Sequence, residues 1–130
     1  MKKLPPLQYL LELFDYNLSK GTATWKERPA SHFQSTNRSH APMWNSRFKG
    51  KEAGYLSPHS GQVEIKIDGV KYGRSRILWK LATGVDPHYC IEHQNGVMND
   101  DSIHNIRDVP SSVIRRFGAP RKIKYEIKEK

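Results

Sequence analysis

Glu92 and His93 stand side by side in the stretch Ile91-Glu92-His93-Gln94-Asn95-Gly96, and Asn105 follows twelve residues after the histidine. An imidazole ionises near neutral pH, so a positioned His is suited to take a proton from water. A neighbouring carboxylate offers hard oxygen ligands, which favour Mg²⁺ or Mn²⁺ over zinc where no thiolate is at hand. Asn95-Gly96 is a turn signal that ends the extended run carrying the pair. Adjacent residues on a strand face opposite ways, so the two can serve one centre only if the strand end is irregular. His59, His88 and His104 share no ligand spacing and read as surface residues, and Asp100 and Asp101 read as loop charges.

Charge surrounds this stretch unevenly. The 130-residue chain carries 22 Lys and Arg against 13 Asp and Glu, a net charge of +9. Such a surface attracts polyanions, and nucleic acid is the default one. From Asp86 to Asp108 five acids face one base, a net of −4. Basic segments flank that island: Lys71, Arg74, Arg76 and Lys80 before it, and a 110–130 tail that nets +5 after it. The island reads either as a solvated loop or as a metal site between phosphate-gripping arms. The single Cys90 excludes a disulfide framework and a Cys-based zinc finger and fits a reducing compartment. No apolar run approaches the roughly 20 residues of a spanning helix, so no membrane partner is expected. The basic start, Met1 to Pro6, has no apolar signal core after it, and the chain reads as cytosolic.

The positioning elements follow from periodicity. Leu4 to Phe14 has helical spacing, with Pro5 and Pro6 tolerable in a first turn. Asn17 to Gly21 reads as a turn and Thr22 to Trp25 as a strand. Glu27 to Met43 shows no period and reads as loop with a helical turn near Phe33, and Trp44 to Gly54 as a basic, aromatic connector. Val63, Ile65 and Ile67 alternate with Glu64, Lys66 and Asp68, and Asp68-Gly69 turns the chain into Val70-Lys71-Tyr72. Ser75 to Leu81 shifts to helical spacing and stops at Gly84, with Trp79, like Trp25, expected in the core. Tyr89 to Ile91 is a short extended run, and Ser102 to Val109 fits a strand or a helix start. Val113, Ile114 and Phe117 give a weak apolar face, and Ile123, Tyr125 and Ile127 alternate as a final strand. The expected class is α+β, with a helix and β-hairpin N-terminal region ahead of a ββα motif.

Taken together these motifs resemble the phage-type HNH homing endonucleases over about residues 10–114. Glu92-His93, Asn95-Gly96 and Asn105 resemble the HNH motif itself. Trp44 to Gly54, Val63 to Tyr72 and Arg74 to Trp79 look like the connector, strands and helix that precede it in that family, and Phe14 to Trp25 like its N-terminal hairpin. The resemblance implies four segments: 1–54, helix, hairpin and connector; 55–84, a DNA-binding strand-strand-helix; 85–118, the ββα-metal motif; and 119–130, a basic tail. It implies hydrolysis of DNA phosphodiesters, as nicks, in a bacterial host cell. His93 would be the general base, Glu92 the ligand of one Mg²⁺ or Mn²⁺, and Asn105 and Asn95 the braces of the loop. Lys71, Arg74, Arg76, Arg107, Arg115 and Arg116 surround the motif and are the expected phosphate contacts.

Two positions depart from the family pattern. Glu92 stands where Asp is usual and is one methylene longer. The helix position that closes the metal cage is Ile114, which cannot bind a cation. A second class of function therefore stays open: a scaffold that grips nucleic acid, or a host or rival protein, without cleaving. A structural RNA-binding role rests on charge alone.

Overall fold

A computed structural model describes residues 2–33 and 40–112. The chain runs α1 (Leu7–Leu13), β1 (Phe14–Asn17), β2 (Thr22–Trp25), a 3₁₀ turn (Ala30–Phe33), α2 (His40–Phe48), β3 (Tyr55–Leu56), β4 (Val63–Ile67), β5 (Val70–Gly73), α3 (Arg74–Thr83), β6 (Cys90–His93) and β7 (Ile106–Val109). The class is α+β, as expected. Among the described residues three small antiparallel sheets form, in the orders β1-β2, β3-β4-β5 and β6-β7.

Prolines set the start of α1: Pro6 lies just outside it, and the helix begins at Leu7 rather than Leu4. Leu10 and Leu13 are buried, and so are Ile77, Leu78 and Leu81 of α3. With Phe14, Ala23, Trp25, Ile65 and Ile67 they make one core. Helix α3 spans the expected residues and ends on Gly84, whose φ of 87° lets its N–H reach the Lys80 carbonyl. Asp68 and Gly69 both have positive φ, 49° and 86°, so the two-residue turn fixes the register that sets Ile67 opposite Val70.

Helix α2 corrects the expectation of loop and connector across residues 40–48. Pro42 falls in its first turn, where a missing N–H costs nothing. Its apolar residues, Trp44 and Phe48, lie one turn apart, and their ring centroids sit 4.9 and 6.3 Å from that of Trp25. Tertiary stacking on Trp25 makes this helix, where local periodicity is too weak to reveal it. Trp25 is buried as expected, but Trp79 is half-buried and lies outside the core. The predicted apolar face at Val113, Ile114 and Phe117, the final strand at 123–127 and the tail at 119–130 fall outside the described residues.

The segment before α1 is pinned onto α3. Lys80 Nζ donates to the Pro5 carbonyl at 2.8 Å and pairs with Asp86 at 2.7 Å, and Asp86 also accepts the Leu4 amide at 2.9 Å. Burial acts to raise the Asp86 pKa, but the bonds from Lys80 and the Leu4 amide outweigh it and hold the carboxyl below its usual range. A carboxyl so depressed stabilises the fold above its unfolded pKa of about 3.9 and loses that contribution as pH falls through the folded value. Asp86→Asn is therefore expected to cost roughly 1–2 kcal/mol at pH 7. In urea titrations across pH, the gap from the native chain should be flat above about pH 5 and shrink below about pH 4.

Candidate functional site

Strands β6 and β7 pair so that Glu92 lies opposite Arg107 and His93 opposite Ile106. Alternation then sends the two expected site residues to opposite faces. Glu92 Oε1 accepts from Arg107 Nε at 2.9 Å and from Nη2 at 2.5 Å. His93 is turned inward with its side chain 1% exposed, and its Nε2 lies 2.6 Å from Asp101 Oδ1. The irregular strand end that would let both residues meet does not occur: the ladder is regular through His93.

Asp101 is buried, and the expectation of a solvated loop charge is corrected. Its second oxygen accepts from Arg74 Nε at 2.8 Å, and Arg74 Nη2 donates to the Asn99 carbonyl at 3.0 Å. A carboxylate can be desolvated at this depth only because a guanidinium and an imidazole occupy both of its oxygens. Arg74 is thus an interior residue, which corrects its reading as a phosphate contact. With Nε2 donating to Asp101, the other ring nitrogen, Nδ1, is buried and has no hydrogen-bond partner among the described residues.

The loop between the strands is tied by its two asparagines. Asn105 Nδ2 donates to Asn95 Oδ1 at 3.0 Å and to the Asp100 carbonyl at 2.8 Å, while Asn105 Oδ1 accepts the Asn95 amide at 3.1 Å. Gly21, in the β1–β2 turn, packs on the same loop. A Cβ there would lie 2.4 Å from the Asp101 carbonyl carbon and the Ser102 nitrogen.

Each acid of the −4 island is engaged within the fold. Asp86 holds Lys80, Glu92 holds Arg107, and Asp101 holds Arg74 and His93. Asp100 accepts from Asn95 Nδ2 and Ser102 Oγ, and Asp108 from the His88 and Tyr89 amides. No three His, Cys, Asp or Glu side chains converge on a common point among the described residues. As placed, Glu92 and His93 do not fit the cage of a divalent cation, and Ile114 lies outside the described residues.

The cationic residues divide differently from the expectation. Lys71 is exposed on β5, directly opposite Lys66 of β4. Arg76 is half-buried and donates to the Lys2 carbonyl, Arg107 is committed to Glu92, and Arg115 and Arg116 lie outside the described residues. Lys66 was missed, although the two-residue Asp68-Gly69 turn fixes its register against Lys71. Both side chains leave the same face of the sheet. Lys71 Nζ sits 5.9 Å from the ring centroid of Tyr55, which is 43% exposed on β3 and bonds Glu64 across the ladder at 2.8 Å.

Asp101→Ala removes the buried counter-ion of Arg74 and leaves it only the exposed Glu52 at 3.5 Å, so chemical denaturation should show a loss of roughly 3 kcal/mol. Gly21→Ala should cost more than about 2 kcal/mol, from both the clash and the positive φ. Glu92→Ala, which frees a guanidinium that can turn to water, should cost under about 1 kcal/mol. Compared with protein-family models, with curated proteins and with solved structures, the chain has no match.

Proposed function

We propose that this chain binds nucleic acid through its phosphates on the β4–β5 hairpin, while the acid and histidine of its HNH-like β6–β7 hairpin serve the fold. The observation that carries the reading is the Lys66–Lys71 pair. Like charges directly opposite on a sheet cost stability. Among the described residues no carboxylate pairs with either lysine, so no counter-charge within the fold offsets the repulsion. A phosphate placed between them would supply it. The net charge of +9 supports the same partner class and favours fast, salt-sensitive encounter.

Phosphodiester hydrolysis is the second reading, and one observation favours it. A carboxylate on one imidazole nitrogen fixes the tautomer and leaves the other nitrogen able to accept a proton, as in a positioned general base. His93 has that arrangement through Asp101, with Nδ1 unclaimed among the described residues. Hydrolysis would need the ring to reach water, and a divalent cation, Mg²⁺ or Mn²⁺, held by groups other than those assembled around Glu92.

Duplex DNA binding measured against salt tests the first reading. Log–log slopes should be steep, and Lys66→Ala or Lys71→Ala should each lower the slope magnitude by about 1 and weaken binding across unrelated sequences. Unchanged affinity in Lys66→Ala/Lys71→Ala would move the interface elsewhere. Supercoiled plasmid incubated with Mg²⁺ or Mn²⁺ should stay closed. Conversion by the native chain but not by His93→Ala would establish the hydrolytic reading instead.

A further inference from the structure

Beside the lysine pair the surface opens into a cavity of about 580 Å³, walled by Trp44 and Phe48 and floored by the buried Trp25 and Phe33. Trp44 and Phe48 are half-buried, with ring centroids 4.9 Å apart, so each keeps part of its surface toward the opening. Arg28 closes the back of the cavity: its guanidinium lies 4.6 Å from the Phe33 ring centroid and 4.9 Å from that of Trp44. Asp68 and Tyr9 hold it there, at 2.9 and 2.6 Å. Burial and the Asp68 bond push the Tyr9 hydroxyl up to about 12, so this staple stays intact through neutral pH.

The charges at the mouth are not balanced. Its two acids are engaged, Asp68 with Arg28 and Glu52 with Arg74. Its lysines, Lys51 and Lys66, are exposed and have no carboxylate partner among the described residues. Tyr55 lines the same mouth and carries the surface on to Lys71. An aromatic recess rimmed by unpaired cations and continuous with a cationic sheet face matches one ligand chemistry: a flat, uncharged ring on a polyanionic backbone. An apolar peptide would leave the lysines unmatched, and a free anion would leave the aromatic wall unused.

We infer that this cavity takes an unpaired nucleobase against the aromatic surface that Trp44 and Phe48 form together, with Lys51, Lys66 and Lys71 on the adjoining phosphates. The inference rests on the phosphate-binding reading above and adds single-strand preference to it. A duplex keeps its bases stacked and would engage the lysines alone.

Two probes separate the base from the backbone: a fifteen-residue oligothymidylate, and an abasic deoxyribose-phosphate chain of the same length. The native protein should bind the first about tenfold more tightly and quench its tryptophan emission with it. Phe48→Leu should erase most of that tenfold difference while leaving the abasic affinity unchanged, and Phe48→Tyr, which keeps a ring in place, should retain it. Lys66→Ala should weaken both probes and keep their ratio. Equal affinity of the two probes for the native chain overturns the nucleobase pocket and leaves the phosphate reading standing. Binding of neither probe, nor of duplex, overturns both.

Discussion

One buried carboxylate organises the fold. Asp101 lies on the loop between β6 and β7 and is engaged by α3 through Arg74 and by β6 through His93. Its backbone leaves no room for a side chain on Gly21, and the next turn of the loop is bonded to the N-terminal hairpin, Ile103 N–H to the Leu18 carbonyl at 2.9 Å. Helix α3, strand β6 and the N-terminal hairpin thus converge on the loop that carries this one acidic group. Desolvating such a group is tolerable only when every oxygen is occupied, so the elements must arrive together or the site is unfavourable. That requirement gives a small core of short strands its specific arrangement.

The same accounting separates the two surfaces by charge. The acidic island spends its carboxylates inside the fold: two on backbone or loop donors, three on cations drawn from α3 and β7. The sheet β3-β4-β5 does the opposite and leaves Lys66 and Lys71 without a counter-charge among the described residues. Glu92 and His93, neighbours in sequence, are thus held by different partners on opposite faces of the hairpin. The surface with unmet charge lies on the β4–β5 hairpin, outside the Glu92-His93 stretch.

Local rules made much of the fold legible. The alternation of β4, the Asp68-Gly69 turn and the Gly84 stop are each set by neighbours in sequence, and each was found where expected. Helix α2 was hidden because its cause is remote: two rings on one face, stacked on Trp25 from another element. The site was legible as chemistry but not as geometry. Sequence places Glu92 beside His93, and only the register of β7 shows that Arg107 takes the first and Asp101 the second. Asp101 looked solvated because a polar, turn-rich loop gives no sign that Arg74 will reach it. Lys66 needed no structure to find. The two-residue turn by itself sets it opposite Lys71.

The Lys66–Lys71 pair has a thermodynamic consequence for the free protein. Added salt screens the repulsion between two exposed cations, so at this site ionic strength favours the folded state. Salt also competes with any polyanion for the same two ammonium groups and weakens the complex. Stability of the free chain and affinity for a charged ligand are then linked with opposite salt slopes. A bound polyanion would take over the role of salt and raise the melting temperature most where the buffer is most dilute.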